Sequence, residues 1–328
     1  MEQARTFCNG IKEYAEALGK DDFFLVAEIA GGNSPQDRYF DVTGRNLNAC
    51  LDIGEQRMTV CGVAKGLQSA GDYFAGFSYY DAGMGSHRNY GSQHLSISND
   101  HDHVCGEKTR FSADASNDHQ AAAAVALQLF TLGIPCIYYG MEQGLAGGAL
   151  PQERGYLSNW GGNDCFLRET LFGPHGTSGH HVFNPAHPIY SRIAKMAAIR
   201  TAYKPLRRGR QYQREISVCG GSFYHHGAGE LAAWSRIFDD QEIIVVVNTH
   251  GTDRRGGRIT VDSRLSADGM SVLLCTDPDA PVTMQAGAHL PAAAADGRLI
   301  LSFENWLLGP SEVLICANSS AVEAAVRR

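Results

Sequence analysis

The sequence predicts an α/β region of four strand and helix units, forming a parallel barrel or open sheet, followed by an all-β antiparallel sandwich. Three observations lead there. Over residues 1–206, apolar runs without alternation take turns with stretches of helical periodicity, as in a parallel sheet covered by helices. Over residues 207–328 the runs become short, β-rich and separated by turn residues, as in a sandwich. Pro205 stops the last helical stretch just ahead of that change. The expected domains are therefore 1–206 and 207–328.

In chain order, Ala4, Phe7, Cys8, Ile11, Tyr14, Ala15 and Leu18 fall at the i, i+3, i+4 spacing of an amphipathic helix, and Gly19 is a natural stop. No strand stands ahead of that helix. Phe23-Phe24-Leu25-Val26-Ala27 then suits a strand buried on both faces; it ends on Glu28 and breaks at Gly31-Gly32. Residues 46–52 read as a second strand ending on Asp52, and 55–67 as a helix with Met58, Cys61 and Ala64 inward, weakened by Gly62. Residues 68–93, polar, aromatic and Gly-rich, read as a loop. A third strand over 94–98 delivers Asn99-Asp100-His101-Asp102-His103. Ser116 or Asn117 is the expected cap of a helix over 120–132, whose four consecutive alanines allow close packing on a sheet. Gly133 ends it. A fourth buried strand over 134–139 runs into Gly140-Met141-Glu142-Gln143-Gly144, residues 145–188 form a long loop of the kind that is usually functional, and 189–203 return to a helix.

The sandwich strands are expected at 223–224, 231–238, 242–248, 258–261, 270–275, 298–303 and 312–316, with turns at Asp239-Asp240 and Gly256-Gly257. The Ala-rich residues 291–295 read as a loop.

A net charge of -7 and scattered Lys and Arg give no basic face for a phosphate backbone, so nucleic acid is not an expected partner. The nine cysteines include no C-x-x-C pair and several sit in apolar runs, which suits small buried hydrophobes in a reducing, cytoplasmic setting. No run has the length of a membrane span, and the N-terminus has no signal-peptide core, so no membrane partner is expected.

Two strand-end clusters stand out: Glu28, and Asp100 with His101, Asp102 and His103. Active sites of α/β barrels lie at the carboxyl ends of the strands, so carboxylates on two such ends would converge over one mouth. Paired carboxylates are what glycoside hydrolysis requires, one protonating the leaving oxygen while another stabilises an oxocarbenium-like transition state. His101 would supply a neutral donor for sugar hydroxyls, and Tyr79, Tyr80, Tyr139, Trp160 and Phe166 could face sugar rings or pack a core. Two rival readings remain. A metal site could draw on His94, His101, Asp102, His103 and the His180/His181 pair, although the spacing matches no established zinc pattern. The Asp/His run could also be a charged loop that caps helices, and Glu28 a structural ion pair.

The motifs then become specific. Phe24-Leu25-Val26-Ala27-Glu28 resembles the segment around the general acid of the α-amylase family of retaining α-glucoside enzymes, at the end of barrel strand five. Ser98-Asn99-Asp100-His101-Asp102 resembles that family's strand-seven motif, usually Asn-His-Asp. Ile137-Tyr138-Tyr139-Gly140-Met141-Glu142 resembles the strand-eight segment, Phe166-Leu167-Arg168-Glu169 the loop beyond it, and Ala233-Trp234-Ser235-Arg236 through Val247-Asn248 the C-terminal β domain. Order and spacing agree along essentially the whole chain. The resemblance implies the C-terminal half of a (β/α)8 barrel, strands five to eight, followed by an antiparallel β-sandwich, acting on an α-glucan or oligosaccharide. It implies Glu28 as general acid/base, Asp102 as transition-state stabiliser, and His101, Asp100, Tyr139 and Arg168 as substrate ligands.

Two departures matter. Asp100 stands where the family usually has Asn. The family's nucleophile, an Asp two residues after an Arg on strand four, has no counterpart here, since Arg-x-Asp does not occur in the sequence. Retaining hydrolysis needs a nucleophile about 5 Å from the acid/base, so the chain alone is expected to show little or no hydrolase activity. A half-barrel also exposes sheet edges, which implies association through them. Cofactors are not expected; calcium is common in the family, with its usual ligands mostly in the half not represented here. The alternative is a carbohydrate-binding or degenerate protein without catalysis.

Overall fold

The computed structural model describes residues 2–29, 42, 44–84, 91–102, 110–147, 167–172, 182–225 and 227–326, apart from the side chains of 55 and 78–84. The α/β region contains α1 (Glu2–Ala17), β1 (Val26–Ala27), β2 (Ala49–Leu51), α2 (Glu55–Ala64), α3 (Ala70–Met84), β3 (His94–Ser96), α4 (Ala121–Phe130), β4 (Ile134–Pro135), α5 (Pro188–Ala202) and α6 (Lys204–Arg208). The four strands pair in the order β1-β2-β3-β4, all parallel, with Ala27 beside Cys50, Leu51 beside Leu95 and Ser96 beside Pro135. Parallel neighbours need crossovers, here α2 and α3 between β2 and β3 and α4 between β3 and β4. Every strand therefore ends on the same edge of the sheet.

Helix α4 is apolar all round and is accordingly buried all round: each residue from Ala121 to Phe130 is inside. Its alanines let α2 and α5 approach it. The expected cap is displaced. Gln120 precedes the helix without a side-chain cap, Asn117 instead accepts the His119 N–H at 3.1 Å, and the Ser116 N–H donates to the Gln120 side chain at 2.7 Å.

The second region is a β-sandwich. One sheet has the order β11-β10-β14-β8-β7-β5 and the other β12-β13-β9-β6, built from β5 (Arg210–Gln213), β6 (Ile216–Ser217), β7 (Leu231–Phe238), β8 (Gln241–Asn248), β9 (Arg258–Val261), β10 (Met270–Cys275), β11 (His289–Leu290), β12 (Ala293–Ala295), β13 (Arg298–Ser302) and β14 (Val313–Ala317), with α7 (Ser319–Val326) at the end. Alternation assigns each face of the larger sheet. Trp234, Ile243, Val245, Val247 and Ile315 join one core with α2, α3 and α4, while Ala233, Ile244, Val246, Leu314 and Cys316 join a second core between the sheets. The sandwich is thus welded to the helices through one hydrophobic layer. Gly66, at φ +71 just past α2, permits a close approach, since a Cβ there would lie 2.8 Å from the Thr249 carbonyl oxygen.

Several expectations are corrected. The Phe23–Ala27 run is not buried on both faces: the strand is only Val26–Ala27, and Phe23, Phe24 and Val26 are exposed. Among the described residues β1 is an edge strand, with β2 as its neighbour. Met58 is exposed, and Val60, Val63 and Ala64 form the inner face of α2. The loop expected over 68–93 contains α3, the strand expected over 134–139 pairs only at Ile134–Pro135, and the loop expected at 291–295 pairs with β13 as β12. Tyr224 makes only an isolated bridge to Ile216. Among the cysteines, Cys219 is exposed, while burial pushes the Cys61 thiol up to about 11 and that of Cys275 to about 12. Cys105 and Cys165, like Gly31-Gly32, lie outside the described residues.

A cluster at the junction of the two regions titrates in opposite senses. Glu312, ahead of β14, lies 3.1 Å from His119 Nε2 and pairs with Arg192 of α5. Burial raises the Glu312 carboxyl, but hydrogen bonds from His119 and Arg192 outweigh it and hold the group below its usual range. Burial lowers the His119 imidazole, but Glu312 and Asp118 more than reverse that and raise it. The Glu312 contribution is present above 4.5 and lost as pH falls through its lowered folded value; the His119 contribution is present below 6.5 and lost as pH rises through its raised folded value. Thermal denaturation of the His119→Asn variant should therefore differ most from the parent between these limits and converge with it in alkali. A constant difference up to pH 9, well above the ordinary imidazole range of about 6.5, would show that the pair does not form.

Candidate active site

Four strand ends share one edge, and they serve different purposes. Glu28 follows β1 directly and is exposed. Asp52 follows β2 but is buried, accepts the Gly54 N–H at 3.1 Å and lies 3.6 Å from His94 Nε2, so it shapes the turn into α2.

Beyond β3 the chain stays inside before it emerges. Ile97, Ser98, Asn99 and Asp100 are all buried, while His101 and Asp102 are half-buried. Buried polar groups need partners, and Ser98, the Asn99 side-chain carbonyl oxygen and Asp100 have them, while Asn99 Nδ2 has none among the described residues. Gln128 of α4 donates to the Ser96 carbonyl at 2.7 Å and the Cys136 carbonyl at 3.1 Å, and its Oε1 accepts from Ser98 Oγ at 2.8 Å. One amide thereby ties together the continuations of β3 and β4. Asn99 Oδ1 accepts the Phe111 N–H at 2.8 Å.

Asp100 is the hub of this segment. Its Oδ2 accepts from Arg57 Nη1 at 3.0 Å, and its Oδ1 accepts the His101 N–H at 2.6 Å and lies 3.0 Å from His101 Nδ1. Arg57 and Asp100 are both buried, so the pair is shielded from water. Asp100, expected as a sugar ligand, thus has both oxygens in contact with protein groups, Arg57 on one side and His101 on the other. A neutral imidazole whose Nδ1–H points at a carboxylate presents Nε2 as an acceptor.

The rest of the mouth is organised by Arg110. Its Nη1 donates to the Tyr139 carbonyl at 2.5 Å and its Nη2 to the Leu167 carbonyl at 2.9 Å, while Nε lies 2.9 Å from Glu169. Glu169 also accepts the Gly147 N–H at 3.0 Å. The Arg110 guanidinium lies 4.7 and 4.9 Å from the ring centres of Tyr138 and Tyr139, a cation–π arrangement that fixes both rings. The Tyr138 hydroxyl donates to the Leu167 carbonyl at 2.9 Å, its ring centre lies 6.4 Å from that of His101, and burial raises its pKa. Tyr139 is 38% exposed. Arg168, also exposed, donates from Nε to the His101 carbonyl at 3.1 Å, so it supports the His101 main chain.

Asp100, His101, Arg168, Tyr138 and Tyr139 are thus brought into one network. His103, Trp160, Phe166, His180 and His181 lie outside the described residues, as do the side chains of Tyr79 and Tyr80. Among the described residues no three His, Cys, Asp or Glu side chains gather as a metal site would require. Sequence reasoning passed over Arg57 and Arg110. Each is a buried arginine next to another buried residue, Gln56 beside Arg57 and Phe111 beside Arg110, and each meets a buried carboxylate that is distant in sequence.

No protein-family model matches the chain. Over 313 residues it is 24% identical to an α-amylase of Streptomyces lividans, an alignment covering 91% of this chain and 32% of that protein. The chain is a relative of the α-amylase family. Solved α-amylase-family structures share its fold. The γ-CGTase of alkalophilic Bacillus clarkii superposes with a TM-score of 0.62 at 17% identity, over 96% of this chain and 38% of that one. CldA, a cyclomaltodextrin glucanotransferase with a three-domain arrangement, gives 0.65 at 16% identity, over 97% and 53%. The α-amylase of Geobacillus thermoleovorans in complex with acarbose gives 0.58 at 15% identity, over 95% and 57%. The chain therefore spans about a third of the α-amylase-family protein from Streptomyces and between 38% and 57% of these three structures.

Proposed function

We propose that this chain forms the acid/base half of a retaining α-glucoside site: strands five to eight of a (β/α)8 barrel, with β1 to β4 in those places, and the C-terminal β-sandwich. Glu28 protonates the leaving glycosidic oxygen. Asp102 stabilises the positive charge that develops on the sugar ring, His101 accepts a sugar hydroxyl at Nε2, and the Tyr139 face packs on a ring. The observation that carries this reading is the Arg57–Asp100–His101 chain. It fixes His101, with Asp102 next to it, beyond the same sheet edge on which Glu28 ends.

The nucleophile has to come from residues outside these 328, because no Arg-x-Asp occurs among them. Phe7 and Tyr14 of α1, Leu18 just past it, and Phe23, Phe24 and Val26 at β1 are exposed apolar side chains that further β/α units would cover. The test is to express the 328-residue chain and the reading frame extended 5′ of Met1, and to assay both on maltooligosaccharides and 4-nitrophenyl α-maltoside. Turnover is expected from the extended product alone. Turnover by the 328-residue chain that vanishes in Glu28→Gln would overturn the reading. A stop codon directly 5′ of Met1, together with acarbose binding by the chain, would replace it with a non-catalytic glucan-binding role.

A further inference from the structure

At the other end of the parallel sheet lies a cleft of about 1140 Å³. Gly91 and Ser92 ahead of β3, and Gly133 ahead of β4, form one wall. The cleft thus opens at the amino ends of the strands, away from Glu28 and Asp102. Arg200, Lys204, Arg207, Arg208, Arg210 and Arg236 line it, with Asp239 as the one acidic residue in the lining. The sequence suggested scattered cations, yet four of these fall between 204 and 210, and the fold adds one from α5 and one from β7.

Among the described residues none of the six is in an ion pair. Arg236 is fully buried; its Nη1 and Nη2 donate to the Phe130 and Gly209 carbonyls, each at 2.9 Å, and its Nε has no partner. Arg200 donates to the Leu206 carbonyl at 2.8 Å and to that of Leu129. Carbonyls satisfy hydrogen bonds but do not neutralise charge. Burial, together with Arg200, lowers the Arg236 pKa to about 9, and burial with Arg207 lowers that of Arg200 to about 10. The cations disfavour one another, and an anion in the cleft would relieve that. Arg200 and Arg236 also tie elements together through those carbonyls, a structural duty that Arg207, Arg208 and Arg210 do not share.

We propose that this cleft binds a small organic phosphate. Five arginines and one lysine line it, and a guanidinium fork matches phosphate oxygens. Its volume exceeds what one inorganic ion fills and lies just above the roughly 300–1,000 Å³ typical of small-ligand sites, so it has room for a small organic phosphate. The remaining wall, with Ile134, Pro135, Ile237 and Phe238, is apolar and suits the uncharged part of such a molecule. The site stands independently of the glucoside reading, on the opposite end of the sheet.

Calorimetric titration of the 328-residue chain with inorganic phosphate, pyrophosphate, ATP and glucose 6-phosphate tests it. ATP and glucose 6-phosphate separate nucleotide from sugar phosphate as the source of the shared group. Saturable binding of at least one organic phosphate is expected. It should weaken about tenfold or more in Arg207→Ala/Arg208→Ala, a pair of exposed side chains whose loss leaves the core intact, and should weaken with added salt. No saturation by any organic phosphate at about 10 mM, an affinity unchanged in the double variant, or retention of RNA without binding of any small phosphate would each overturn the proposal.

Discussion

In the extended product, Glu28→Gln is expected to lower kcat/KM on maltooligosaccharides by about 10²–10⁴-fold. A sugar alkoxide is a poor leaving group, and the proton from Glu28 is what lets it depart in the proposed mechanism; the amide of Gln keeps the shape of the side chain and cannot supply that proton. The loss should depend on the substrate. α-Maltosyl fluoride needs no proton to expel its leaving group, so its rate of bond cleavage should fall far less than that of maltotriose. Asp102→Asn should slow both substrates alike, because charge on the ring develops whichever group departs. An equal loss on both substrates in Glu28→Gln would remove the general-acid role and return Glu28 to a structural one. Exposure does not argue against the assignment, since β1 is an edge strand and further β/α units would close over it.

What pattern could reveal differs between the two regions. The large sheet of the sandwich was legible because β7 opens on the apolar run Leu231–Trp234 and β8 carries Ile243–Val247, with both faces buried, one against the helices and one against the second sheet. Helix α3 was not legible. Gly71 and Gly76 lower its propensity, yet Tyr73, Phe74 and Phe77 share a face, and Phe74 packs on Trp234 with ring centres 5.5 Å apart, a contact no local window contains. Gly76 itself is a packing requirement, because a Cβ there would fall 1.7 Å from the Gln56 side-chain nitrogen. The Phe23–Ala27 run failed for the opposite reason: its composition promised burial, and the described residues leave Phe23, Phe24 and Val26 exposed. At the site, the strand-end acids and the His101 motif were visible in the sequence. The division of labour among them was not, because Arg57 and Asp100 are 43 residues apart and only the fold joins them.

That pair sets the second large effect. Arg57→Met should destabilise the chain by about 3–5 kcal/mol, since it leaves the buried Asp100 carboxylate without its counter-charge. The double variant Arg57→Met/Asp100→Asn should recover most of the loss. It removes both charges together, and Asn, the residue the α-amylase family usually carries at this place, can still accept the His101 N–H. Denaturant unfolding of the parent, both single variants and the double variant gives the coupling directly. A purely structural pair would stop there, whereas a pair that also positions the site should alter the His101 ring. ¹⁵N spectra of the imidazole should show Nδ1 protonated in the parent and in the double variant, and a changed tautomer balance in Arg57→Met under conditions where that variant is still folded. If the single variants and the double variant are equally stable, and the ring nitrogens of His101 are the same in all of them, Arg57 has no part in holding the site, and the exchange of Asn for Asp at position 100 is left without a compensating partner.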